Sequence, residues 1–313
     1  MPPLVSVIIA TRNRAELLAH TLEALRVQDG PRERFEVIVA DNGSGDDTRG
    51  VVMRAAQDAQ APSLRYLFVA APGKSYAVNA AFEIARGEIF ALTDDDVRAE
   101  PSWISAIVSA LERPGLDFIA GRVRPIWETP PPAWLSPALY GVLAIPDNGS
   151  LALAIEGTDA GVMPIGANMA VRRTVVDRIG GLRVDLGKLE GSLRTGEDHE
   201  FFLRMLHAGC RGAYQPDAVV HHWVPRERLD RDYFRHWLYQ NGRDVARLQT
   251  SYPLACRRLL RVPGYLWRQA GADLQAACTT DRARRFAASA RLHWMAGYLR
   301  ESWRGAPDLS PIG

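Results

Sequence analysis

Three adjacent carboxylates, Asp94, Asp95 and Asp96, close an apolar run from Ile89 to Thr93. Side by side they repel, and each raises the cost of ionising the next. A divalent cation relieves that repulsion. Mg²⁺ and Mn²⁺ take carboxylate oxygens, and Mg²⁺ commonly binds one or two of them together with phosphate. An exposed acidic turn ahead of a helix is the competing account of such a triplet, with Asp96 favoured near the helix start. A second acidic pair, Glu197 and Asp198, opens a helical pattern reaching about Ala208. Carboxylates there either cap the helix or act as a general base that takes a proton from an attacking hydroxyl. Asp41 ends another apolar run, Phe35 to Ala40, and opens the turn cluster Asp41-Asn42-Gly43-Ser44-Gly45. It can accept bonds from a nucleobase or ribose, or shape its own loop as an Asx turn. His221 and His222 lie on one apparent strand, Ala218 to Val224, so their side chains point to opposite faces and at most one serves a site.

The elements around these residues alternate. Leu4 to Ala10 reads as a strand buried on both faces, and Ala15 to Val27 as a helix carrying Leu17, Leu18, Leu22 and Leu25. Phe35 to Ala40 is a second strand, followed by a polar helix to about Ala59. Leu64 to Val69 is a third strand, Tyr76 to Ala85 a helix and Ile89 to Thr93 a fourth strand. Pro101 starts the next helix. This order implies a mostly parallel α/β sheet with helices on both faces. Ligands of such sheets bind beyond the carboxyl ends of the strands. The polar segments Thr11-Arg12-Asn13-Arg14, Asp41 to Ser44 and Asp94 to Asp96 all stand at such ends and should converge.

From Arg124 to Met163 the chain carries six prolines with Trp127 and Trp134, which reads as a long irregular excursion with acceptor contacts. Pro164 to Val171 reads as a strand containing Gly166-Ala167-Asn168. A helix begins near Arg173 and ends at Gly180-Gly181. Beyond Leu229 the chain reads as mostly helical.

Composition excludes several classes. The 313 residues are 47% hydrophobic and 24% charged, as in globular proteins. A net charge of +2 gives no preference for nucleic acid. Cys210, Cys256 and Cys278 lack the spacing of a zinc site or a disulfide framework, which suits a reducing cytoplasm. No apolar stretch approaches the roughly 20 residues of a spanning helix. The tail from Pro253 to Arg304 holds ten Arg and no Lys against Asp273, Asp281 and Glu301. It reads as a helical subdomain packed through its apolar residues, with peripheral contact to the inner face of a membrane as the second reading.

Together the segments VSVIIATRNRAELLAHTLEAL, VIVADNGSGDDT, GKSYAVNAAFEIARGEIFALTDDDV, GANMAVRR and GEDHEFFLRMLHAG resemble glycosyltransferase family 2, in the family's order. HHWVPRERL extends the likeness to about Leu229. The resemblance implies a GT-A fold: a Rossmann-like catalytic domain over 1–229, with a nucleotide-binding half at 1–120 and an acceptor-binding half at 121–229. A helical region at 230–313 follows. It implies nucleotide contacts from Thr11 and Arg12, with Asn13 and Arg14 of the same loop, from Asp41 at the base, and from Lys74 and Asn79 on the diphosphate side. Asp94 resembles the ribose-side acid and Asp95 the metal ligand, with Asp96 as the other register of the triplet. Asp198 resembles the catalytic base, beside Glu197, and His222 the downstream histidine that joins the metal or diphosphate site. The implied reaction is a single inverting transfer, with Mn²⁺ or Mg²⁺, from a nucleoside diphosphate sugar. A UDP-sugar is favoured over dTDP or GDP, and the acceptor is a glycan, lipid-linked saccharide or small molecule. The comparable region reads FRHWLYQNGR where processive members carry QxxRW, so a non-processive enzyme is expected. A nucleotidyltransferase and a silent sugar-nucleotide-binding module are the alternatives. The first lacks a glycine-rich basic loop after its first strand, and the second has no use for both acidic groups.

Overall fold

The computed structural model describes residues 3–146, 148–158, 161–187, 195–253 and 256–304. The chain divides into two compact units. The first holds Met1–Ile126, Asp147–Glu190 and Glu197–Trp223, and the second Trp127–Pro146, Gly191–Gly196 and Val224–Gly313.

The first unit is built on strands β1 (Val5–Thr11), β2 (Phe35–Asp41), β3 (Ser63–Phe68) and β4 (Ile89–Asp94). They lie parallel in the order β3-β2-β1-β4, with Thr11 opposite Asp41 and Ala10 opposite Asp94. β1 and β2 are nearly continuous apolar runs because both sheet faces are covered: Val7, Ile8, Ile9, Val37, Ile38 and Val39 are all at most 1% exposed. Helices α1 (Ala15–Arg26), α2 (Thr48–Ala56), α3 (Lys74–Ile84) and α4 (Trp103–Leu111) connect and cover them. α1 buries Leu18, Leu22 and Leu25, which recur at helical spacing.

Beyond β4 the sheet turns antiparallel. β8 (Asn168–Arg172) pairs with β4, β6 (Phe118–Trp127) with β8, β9 (Gly212–Val224) with β6, and β5 (Val97–Ala99) with β9, while β7 (Leu153–Ile155) also joins β9. The expected irregular excursion therefore gives way at its start to β6, which runs through Pro125 to Trp127. A 3₁₀ turn at Pro137–Leu143 and β7 break it further, and Asp147 and residues 159–160 lie outside the described chain. α5 (Arg173–Ile179) and α6 (Glu197–His207) complete this unit.

The second unit is helical: α7 (Arg231–Ser251), α8 (Gly264–Ala276) and α9 (Arg282–Arg304), with a small hairpin of β10 (Arg258–Leu259) and β11 (Val262–Pro263). α7 and α9 approach so closely that a Cβ on Gly242 or Gly297 would collide with the backbone carbonyl of Trp294 or Tyr239. Trp134 stacks edge-on against Phe234 and Phe286, at 5.3 and 4.5 Å between ring centroids. The tryptophan of the proline-rich stretch is thus an anchor in this helical core. No helix among the described residues is long and apolar enough to cross a membrane.

Candidate active site

The parallel register brings the carboxyl ends of β1, β2 and β4 together, and the loops leaving them are laced by side chains. Asn13 stands at φ 53°, a left-handed conformation that Asn tolerates. Its backbone N–H donates to Ser44 Oγ at 2.9 Å, and its Oδ1 accepts the Gly45 N–H at 2.7 Å. Asp41, 2% exposed, accepts the Ser44 N–H on Oδ1 (2.8 Å) and the Tyr66 hydroxyl on Oδ2 (2.7 Å). Burial and the facing carboxylate push the Tyr66 phenol up to about 12. Arg12 is half-buried in the same loop.

The acidic triplet splits in direction. Asp95 faces β1: its Oδ2 accepts Thr11 Oγ1 at 2.7 Å and its Oδ1 accepts Arg14 Nη1 at 2.9 Å. Burial, together with the charges of Asp96 and Asp94, pushes the Asp95 carboxyl up to about 6 against the pull of Arg14 and Thr11. Asp94 and Asp96 gather instead with His222, and one ligating atom from each lies within 4.8 Å of the others. Asp96 Oδ1 is 3.3 Å from His222 Nε2, and its Oδ2 accepts Arg14 Nη1 at 2.8 Å. Strand pairing delivers the imidazole. β5 follows the triplet directly, Val97 faces His222 across the β5–β9 ladder, and the Trp223 N–H donates to the Asp96 carbonyl at 2.9 Å. His221, pointing the other way, sits 3.0 Å from Glu100.

The set thus brought together is Asp94, Asp96 and His222, whereas the family resemblance gave the ligand role first to Asp95 and the ribose side to Asp94. Asp95 and Asp96 lie in the turn between β4 and β5, so the pairing of β5 with β9 sorts them. The cluster's chemistry fits a divalent cation. It offers two carboxylates and one imidazole, and His222, 2% exposed, has its Nδ1 buried with no hydrogen-bond partner among the described residues.

Lys74, at the start of α3, donates from Nζ to Asp94 Oδ1 at 2.6 Å. Burial alone would lower its pKa, but Asp94, Asp198 and Glu197 outweigh that and raise it, so the ammonium keeps its charge. Asp94 is correspondingly held below the usual carboxylate range: burial opposes ionisation, and Lys74 more than offsets it. Asp198, in the first turn of α6, accepts the Gly166 N–H on Oδ2 at 2.8 Å. Gly166 stands two residues before β8, whose register sets Asn168 opposite Thr93. A Cβ on Gly166 would meet both Lys74 Nζ and Asp198 Oδ1 at 3.1 Å, so its missing side chain leaves room for both groups. Glu197, 7% exposed, is packed against Gly187. Asn79 goes elsewhere: its amide exchanges two 2.8 Å bonds with the backbone of Leu182 and fixes the chain after α5. Sequence reading missed Tyr66 and the Gly166 N–H. Nothing local marks either, because each contact joins segments at least 25 residues apart.

The family comparison agrees with the ordered motifs of the sequence. The model of Glycosyl transferase family 2 matches residues 6–180, more than half of the chain. The chain belongs to glycosyltransferase family 2. Among curated relatives of this family 2 glycosyltransferase is the succinoglycan biosynthesis protein ExoM of Rhizobium meliloti (strain 1021). It is 26% identical over 247 residues, covering 77% of this chain and 73% of that protein. Another is a glucosyl-dolichyl phosphate glucuronosyltransferase of Haloferax volcanii, 25% identical over 244 residues, with 76% and 72% covered. Among solved structures, the mannosyltransferase PcManGT of Pyrobaculum calidifontis, in complex with GDP-Man and Mn²⁺, superposes with a TM-score of 0.64. The identity is 21%, with 97% of this chain and 88% of that one covered. That likeness carries the GT-A fold.

Proposed function

We propose that this glycosyltransferase moves one sugar from a nucleoside diphosphate sugar, a UDP-sugar first, to a hydroxyl of a glycan or lipid-linked saccharide, with inversion at the sugar carbon. The observation that carries the reading is the Asp94–Asp96–His222 cluster at the end of β4, with Lys74 bonded to Asp94 and both Lys74 and Asp198 packed beside Gly166. Those three residues would hold the cation. A set with one imidazole beside two carboxylates suits Mn²⁺ better than Mg²⁺, which prefers oxygen alone. Bound there, the cation would neutralise the diphosphate charge that develops as the sugar leaves. The chain supplies the rest. Lys74 adds a fixed positive charge beside the diphosphate. Asp41 and Tyr66 form the base end of the slot, and the 11–14 loop its wall. Asp198, oriented by the Gly166 N–H, takes the acceptor's proton. Support for the donor class comes from PcManGT, which binds GDP-Man, and support for the acceptor classes from the succinoglycan and dolichyl-phosphate relatives.

A panel of UDP-, GDP- and dTDP-sugars tests this, with release of the diphosphate as the readout and the anomeric configuration of the product read by NMR. Mn²⁺-dependent turnover of one donor class with inverted product is expected. Turnover unaffected by EDTA, or a retained configuration, would overturn the mechanism.

A further inference from the structure

In the helical unit, β10 and β11 form a tight hairpin in which Arg258 faces Pro263 and Leu259 faces Val262. Its two turn residues, Leu260 and Arg261, both have positive φ, 53° and 67°. Such turns ordinarily recruit Asn and Gly, because a larger side chain enters the left-handed region at a cost. A leucine held there, and held outward, is costly twice over. Leu259 is 61% exposed, Leu260 64% and the nearby Trp303 55%.

The carbonyls at the tip are already satisfied from within. The Trp267 indole N–H donates to the Leu259 carbonyl at 3.1 Å, the Trp303 indole N–H to the Leu260 carbonyl at 3.1 Å, and Arg258 Nη1 to the Arg261 carbonyl at 3.3 Å. An apolar segment enters a lipid layer at low cost only when its peptide groups carry their own partners. Charge points the same way. From Val245 to Ala272 the sequence holds five Arg and no Asp, Glu or Lys. Arg257, Arg258 and Arg261 are exposed and form no ion pair among the described residues. On the neighbouring helices Arg243 and Arg247 pair with Glu301 and Arg291 with Asp273, while Arg268, Arg282, Arg284, Arg285, Arg300 and Arg304 are exposed and form no ion pair among the described residues.

We propose that this hairpin tip, with Trp303, is a membrane-insertion wedge for an anionic phospholipid surface. Leu259 and Leu260 enter the acyl boundary, the indole lies at the headgroup level, and Arg257, Arg258 and Arg261 meet the phosphates. The inserted apolar residues belong to the hairpin and Trp303, and the proposal stands independently of the catalytic reading.

Flotation of the full chain with phosphatidylcholine vesicles, and with vesicles of equal parts phosphatidylcholine and phosphatidylglycerol, tests it. Binding to the anionic vesicles at low salt, weakened at high salt, is expected, with little on the neutral ones. The double variant Leu260→Asn, Arg261→Gly gives the turn the residues it favours, so the melting temperature should hold or rise while vesicle affinity falls about tenfold or more. Leu259→Ser should weaken binding without touching the turn. Nucleotide binding, followed on the same samples, should stay unchanged in all variants. The proposal fails if the wild type does not float with anionic vesicles or the double variant floats as well as wild type. It fails equally if light scattering shows a dimer, abolished by these changes, in a protein that ignores vesicles.

Discussion

The two ends of the first unit's sheet treat buried acid in opposite ways. At the amino end, Glu36 of β2 is 1% exposed and completely accommodated. Oε1 accepts Ser6 Oγ and the Arg86 N–H, each at 2.7 Å, and Oε2 lies 3.3 Å from Arg65. At the carboxyl end, three carboxylates share Arg14 and Lys74, and two of them, Asp94 and Asp96, crowd an imidazole whose Nδ1 has no partner among the described residues. Both ends are buried and polar, so burial alone does not separate architecture from chemistry. What separates them is balance: the amino end supplies each acidic oxygen with a donor, while the carboxyl end concentrates like charge that a cation would relieve.

Substitutions sharpen that contrast. Asp198→Asn should lower turnover by about 10³–10⁴-fold with nucleotide binding nearly intact, because only the proton acceptor is lost. Steady-state rates and nucleotide calorimetry check it, and normal turnover would remove Asp198 as the base. Asp96→Asn should cost about 10²–10³-fold and raise the Mn²⁺ concentration needed for half-maximal rate. Glu36→Ala should reverse the pattern. Left unpaired, its donors should destabilise the fold by about 3 kcal/mol in denaturant titration, while the metal requirement of the residual activity stays as it was. Loss of the metal requirement with Glu36 would erase the distinction between the two ends.

The smallest effect is expected in the helical unit, where Glu301 resembles Glu36 in being supplied. Burial opposes its ionisation, but bonds from Arg247 and Arg243 outweigh that and hold its pKa below the ordinary Glu value. A group lowered in the folded state contributes stability that is complete above its unfolded pKa and is lost as pH falls through its folded pKa. Glu301→Gln should therefore cost about 1–2 kcal/mol at neutral pH and flatten the acid side of the stability curve. An unchanged acid slope would contradict the pairing.

Much of this was legible in the sequence because burial on both faces leaves a plain trace. The apolar runs of β1, β2 and β4 mark the parallel core, and the polar residues that stop them mark the ligand edge. β5 and β6 were not legible. One is three residues long, and the other contains Pro125 and leads into a proline-rich stretch, so local pattern speaks against what sheet pairing enforces. The split within the triplet was open because both registers satisfy the same residue types. Pairing of β5 with β9 decides which carboxylates meet His222, and that is a contact across more than 120 residues. Asn79 shows the converse: a polar residue in a motif segment, spent on the backbone of Leu182.

Which carboxylates of the triplet hold the cation is the central claim, and a binding measurement reaches it directly. Thermal shift induced by UDP with Mn²⁺ should be compared in the wild type, Asp95→Asn and Asp96→Asn, each against its own EDTA control. A ligand that binds the native state raises the apparent melting temperature by mass action. The expected result is a Mn²⁺-dependent shift in the wild type that survives Asp95→Asn, whatever that change does to the baseline, and disappears in Asp96→Asn. A shift lost with Asp95 and kept with Asp96 would contradict it.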